Sequence, residues 1–189
     1  MVVAQVAVDL LVAATRVHRQ SLIDGLGRQI RLSTATHYLD AGAATLDERC
    51  EAVVDAMLRS LEEGPAHFIE HVRHVAVQRQ AEGFRLSEVQ LVLATLEEQL
   101  WCLACQVPAD TAGLVAVLAR VSGTIGAAKD ALARVFLDQL RDREAQLDRI
   151  AQHALLLFQG TDSSDGIDAT DLDLDALASR KTGTGRRQA

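Results

Sequence analysis

Proline stands at only two positions of the 189, Pro65 and Pro108. The residue that removes a backbone donor and ends a helix is nearly absent, so long stretches are free to run as α-helix. Aromatic residues are 3% of the chain, while Ala, Leu and Val dominate the 49% that is hydrophobic, a balance that favours helix over sheet. The length suits one domain of ordinary size with a tail. An all-α fold is expected.

Apolar spacing places the helices. Residues 3–38 form helix-compatible sequence with Val3, Val6, Leu10 and Val17 as the expected apolar face, weakened at Gly25 and Gly27. Two helices, or one kinked helix, are expected there. "TLDE" reads as a capping box in which Thr45 accepts from the backbone and Glu48 reaches back, so a helix should begin near Leu46. That helix carries Val53, Val54, Met57, Leu58 and Leu61 inward and stops at Gly64-Pro65. The next runs from Pro65 to Gly83. A third opens at Ser87, with Gln90 reaching back, and carries Val89, Val92, Leu93, Leu96, Leu100 and Leu103 at helical spacing before Pro108.

No proline interrupts residues 110–158, although Gly123 and Gly126 mark an expected hinge. Beyond them Phe136, Leu140, Leu147, Ile150, Ala154 and Leu157 fall on alternating three- and four-residue steps, with Arg143 as the polar intruder. This is the pattern of a short coiled-coil seam, or of an amphipathic last helix packed on its own bundle. Residues 1–159 are therefore read as one helical domain. Residues 160–189, rich in Asp, Ser, Gly and Thr, are read as a disordered acidic tail with a basic end. Within it "DLDLDAL" at 171–177 alternates acid with leucine, a pattern that fits either a short docking motif or plain tail.

The net charge of −7 argues against nucleic acid as a partner, because phosphate neutralisation needs a clustered positive surface. No hydrophobic run is expected to approach the ~20 residues of a transmembrane helix, so no membrane partner is expected. Three cysteines in a chain of this size suggest reduced thiols and a cytoplasmic location.

The candidate chemistry is concentrated in "HFIEHVRHVAVQRQ", residues 67–80. At 100° per residue, His67, His71, His74 and Gln78 share a stripe roughly 60° wide, while Phe68, Val72, Val75 and Ala76 face away from it. The histidines line a boundary rather than the core. His67 and His71 at i, i+4, with Glu70 or His74, have the types and spacing of metal ligands, but a second element must supply the rest, and only His37 and His153 are at hand. Cys102 and Cys105 have CxxC spacing at the C-terminal end of their helix, where the dipole does not activate a thiol, and are expected to be buried small hydrophobes. A phosphate loop, a calcium loop and a nucleophile elbow are all missing, so no enzyme and no cofactor are expected.

The order of these features, more than any single one, points to a family. Residues 38–101, and above all "QRQAEGFRLSEVQLVLATLEEQLW", resemble the N-terminal domain of the RsbT co-antagonist proteins of the RsbR and RsbD type. With flanking helices the resemblance covers about residues 15–145. It implies a globin-like helical bundle without haem, dimeric, serving as sensory input to a bacterial stress-response pathway of the stressosome or partner-switching type. Such domains usually precede a sulfate-transporter/anti-sigma-antagonist domain or another output module. After this long helix only residues 160–189 follow, which leaves a direct role as kinase substrate in doubt. The expected function is thus a homodimeric sensor that signals to a separate protein partner. The alternatives are a haem- or metal-binding globin-like sensor using the histidine stripe, and a purely structural dimerisation bundle.

Overall fold

A computed structural model of the chain describes residues 2–33, 35–40, 42–107 and 109–159. Among these residues are seven α-helices and no strand: α1 Val2–Val17, α2 Arg19–Arg31, α3 Thr36–Asp40, α4 Ala43–Glu63, α5 Ala66–Ala81, α6 Leu86–Ala104 and α7 Thr111–Gln159. The chain divides into two units, residues 1–143 and 144–189, each taken by itself below. The tail 160–189, including 171–177, lies outside the described residues.

In the first unit α4 packs on α1, α2 and α5, and α6 packs on α1, α2 and α5. Two helices carry the stripes that their sequences foretell. On α4, Val53, Val54, Met57 and Leu61 are buried, with Leu58 half-buried, and on α6 Val89, Val92, Leu93, Leu96, Leu100 and Leu103 are all buried. The bundle part of α7 joins the same core through Val117, Val121, Ile125, Ala128 and Leu132, spaced by fours and threes. Polar contacts tie α7 to α6: Lys129 pairs with Glu97 at 2.7 Å, and Trp101 Nε1 donates to Ser122 Oγ at 3.2 Å. Asp110 caps α7 by accepting the Gly113 N–H at 2.7 Å.

Several expectations are corrected. On α1 the buried face is Ala7, Leu11, Val12 and Thr15, whereas Val6, Leu10 and Val17 are exposed; the Val3 side chain lies outside the described residues. Valine, leucine and alanine surround this helix, so spacing alone does not choose a face. Close approach does: a Cβ on Gly113 would lie 3.0 Å from the Ala7 Cβ, a separation open to small residues only. The break between α1 and α2 falls at His18 rather than at the glycines, three residues after Thr15 Oγ1 bonds back to the Leu11 carbonyl at 2.8 Å. Gly25 and Gly27 stay helical.

Two helix starts also move. Helix α4 begins at Ala43, with Gly42 at φ 86° before it, because the Leu46 N–H already bonds to the Gly42 carbonyl at 3.1 Å, so Thr45 is inside the helix and not its cap. Helix α6 begins at Leu86, and Glu88 rather than Gln90 reaches back, accepting the Arg85 N–H at 2.8 Å. Helix α7 also contains an 18-residue window with mean hydropathy 1.4, long and apolar enough to cross a membrane by length and composition, contrary to the expectation of no such run. A third of that window is buried inside the chain.

The seam residues divide between the units. In the first, Phe136 is half-buried against the core and Leu140 is 58% exposed. In the second, Leu147, Ile150 and Ala154 are exposed, and the Leu157 side chain lies outside the described residues.

The glycines separate into two kinds with opposite consequences. Helix α7 continues through Gly123 and Gly126, where an added Cβ would meet nothing within 4 Å. A Cβ on Gly25 would stand 2.9 Å from the Gln99 amide nitrogen, and that amide, oriented to satisfy both groups, reaches the Leu22 carbonyl and the Leu26 N–H at 3.0 Å each. Gly123→Ala with Gly126→Ala should stabilise the protein by about 1–2 kcal/mol and raise its melting temperature, whereas Gly25→Ala should lower it despite the same gain in helix propensity. Calorimetric melting of both variants checks this; a fall for the α7 pair would show that those positions are packed against something.

Candidate functional site

Helix α5 ends on a buried charge. Phe68, Val72 and Ala76 form its inward stripe, and the next residue in that register is Arg79, 8% exposed. The chain then turns through a Schellman motif: Gly83 at φ 87° donates to the Gln80 carbonyl at 3.0 Å, and the Phe84 N–H donates to the Arg79 carbonyl at 2.9 Å. The turn places Phe84 under the guanidinium, whose central carbon is 5.5 Å from the ring centroid. Glu82 accepts from Arg79 Nη1 at 2.7 and 2.9 Å. Arg49 of α4 approaches from the other side, 5.5 Å from the Phe84 centroid and 6.0 Å from that of Tyr38, with a 3.3 Å contact to Glu82. Two guanidiniums thus share one ring and one carboxylate.

A cavity of about 330 Å³ opens beside them, within the first unit. Its buried walls are Ile30, Tyr38, Val53, Val72, Val89, Val92 and Leu93, while Glu48, Ala52, His74 and Gln78 at its edge are exposed. Arg49, Arg79, Cys50, Thr45, Val75 and His71 complete the lining. Arg49 Nη1 and Arg79 Nε are shut away from solvent and have no hydrogen-bond partner. Burial pushes the Tyr38 phenol up to about 12, against the pull of Arg79 and Arg49, so its hydroxyl stays a donor. Burial likewise pushes the Cys50 thiol up to about 11, away from thiolate character. His71 is lowered by burial, then by His74 and Arg79, and stays neutral near pH 7. The lining offers hydrogen-bond donors and positive charge, with its thiol held unreactive.

The histidine stripe is only partly part of this site. His71 and His74 line the cavity, and with His67 and Glu70 they also line a shallow surface groove. His67 pairs with Glu63 at 2.8 Å, His74 contacts Gln78 at 3.0 Å and Glu70 pairs with Arg73 at 2.6 Å. Of the two possible second-element ligands, His37 faces Glu88, and His153, in the second unit, is exposed. Among the described residues no group of three or more His, Cys, Asp or Glu side chains is placed to hold a metal ion. Cys102 and Cys105 are exposed, which corrects the expectation of burial. The face of α6 that they share with Trp101, 42% exposed, is left partly uncovered.

Arg49, Arg79, Tyr38 and Phe84 went unmarked as site residues in the sequence reading. One signal was present: Arg79 continues the Phe68, Val72, Ala76 stripe, a charge in an apolar register.

In comparisons with family models, curated proteins and solved structures, nothing matched this chain.

Beside the cavity, Glu88 is 6% exposed and accepts from the N–H groups of Arg85 and His37 while facing His37 Nδ1 at 2.9 Å. Burial alone would raise its pKa, but those donors outweigh it and hold the carboxyl below its usual range. A carboxyl depressed in the folded state contributes stability that is present above its unfolded value and lost as pH falls through its folded one. Glu88→Gln should therefore be less stable than wild type at neutral pH, with the gap closing as the solution is acidified through the carboxylate range. Urea unfolding at neutral and acid pH measures this, and a pH-independent gap would contradict it.

Proposed function

We propose that this chain is a non-enzymatic, homodimeric input module that passes a signal through helix contacts to a separate protein, as in bacterial stressosome and partner-switching pathways. The observation that carries this reading is the apolar row that α7 leaves in water. In the second unit Leu147 and Ile150 are 65% and 59% exposed on a three-residue step of a two-stranded seam, and in the first Leu140 is 58% exposed. A second copy related by a two-fold axis would remove such a row from water, because an isologous contact presents the same residues from both sides.

The likeness to the RsbR type rests on the corner from Arg79 to Glu88, where the buried arginine, the glycine turn and the opening of α6 make one structural unit. A globin-like arrangement, a cytoplasmic location and a role without catalysis go with this reading. The haem- or metal-binding alternative has less support, since His67 and His74 are engaged by neighbours along their own chain segment. A purely structural bundle would have no use for a cavity lined by one buried and one half-buried guanidinium.

Leu147→Glu with Ile150→Glu should halve the particle mass in light scattering while leaving the helical circular dichroism of the bundle in place. A dimer that persists at full mass would show that this row is not the interface.

A further inference from the structure

We infer that the cavity among α4, α5 and α6 is a binding site for a small organic carboxylate with an apolar body, its carboxylate held between Arg49 and Arg79. The inference rests on the reading of the chain as an input module, and it names the chemical class of that module's ligand. Its first support is a deficit of negative charge. Two guanidiniums share the single carboxylate of Glu82, and each keeps one nitrogen out of solvent with no acceptor, Nη1 of Arg49 and Nε of Arg79. Leaving a buried donor unpaired costs about 1–3 kcal/mol, and more when the group is charged. A planar two-oxygen anion suits guanidinium forks, because each oxygen can accept from a separate N–H.

The walls supply the second half of the specificity. Val92 and Leu93 are buried residues of the lining, and the Tyr38 ring adds an aromatic surface. An inorganic anion would reach the guanidiniums but leave these walls wet, and a neutral apolar molecule would leave the guanidiniums unpaired. The volume, about 330 Å³, lies at the small end of ligand sites and suits a compact acid better than a nucleotide. A cation is disfavoured, because the two arginines repel it and the carboxylate of the lining, Glu48, is exposed at the edge. The acid would join α4 to α5 through the two arginines, so occupancy would favour one setting of that helix pair over others.

The test uses the full chain and the probes benzoate, phenylacetate and hexanoate, with 2-phenylethanol as the uncharged analogue and inorganic phosphate as the anion without an apolar body. Calorimetric titration should give saturable binding of at least one of the acids, one per chain, with a rise in melting temperature. The alcohol and phosphate should each bind about tenfold more weakly or worse. Arg49→Met should weaken the acid about tenfold or more with little change in melting temperature, since the Arg49 contact to Glu82 is long, 3.3 Å, and methionine keeps an unbranched side chain against the Phe84 and Tyr38 rings. Arg79→Lys, which keeps the charge but loses the fork, should weaken it as well.

No saturable binding of any of the three acids at millimolar concentration would overturn the assignment. So would equal binding by Arg49→Met, or by phenylethanol or phosphate. Light scattering on the same samples keeps the two readings apart. A dimer that binds no acid overturns the ligand assignment alone, and a monomer that binds acid overturns the dimer alone.

Discussion

A guanidinium held inside an apolar stripe is the constraint on which the corner between α5 and α6 depends. Arg79 occupies the position where α5 would otherwise place another valine or alanine. A charge there is tolerable only with a counter-charge, hydrogen bonds and a polarisable surface close by. Glu82, three residues later at the C-cap of α5, supplies the counter-charge, and Phe84 supplies the surface once Gly83 has reversed the chain. The turn, the ring and the carboxylate are consequences of placing one arginine inward.

That placement also makes the cavity. Aliphatic side chains of α4, α5 and α6 would close a layer of this kind, but the two arginines sit over Phe84, and the space beside them stays open with valines and a leucine for walls. Dynamics enter here: Arg49 and Arg79 come from different helices, so whatever satisfies both restrains α4 against α5.

Much of the bundle was legible in the sequence because α4 and α6 carry one dominant stripe each. Val53, Met57 and Leu61, like Val92, Leu96 and Leu100, recur every four residues and are all buried. Helix α1 was misread because it is apolar nearly all round, and the choice among its faces is settled by the closeness of Ala7 to Gly113, which no periodicity records. The starts of α4 and α6 were placed late. Gly42 and Arg85, one at positive φ and one extended, end the irregular segments before the expected caps are reached. The site was missed for a different reason. Histidines attract attention as ligands, whereas Arg49 and Arg79 look like ordinary surface charges until Leu46 and Val53, at i−3 and i+4 of Arg49, and Ala76, at i−3 of Arg79, are seen to be buried.

The most direct measurement of this account is a double-mutant cycle between Arg79→Met and Glu82→Gln, followed by urea unfolding. If the buried guanidinium organises the corner through its carboxylate, the two changes should be coupled by about 1 kcal/mol or more, with Arg79→Met the milder change once Glu82 has been neutralised. Additive effects, with coupling near zero, would mean that Arg79 is held by its packing on Phe84 alone and that the ion pair is incidental.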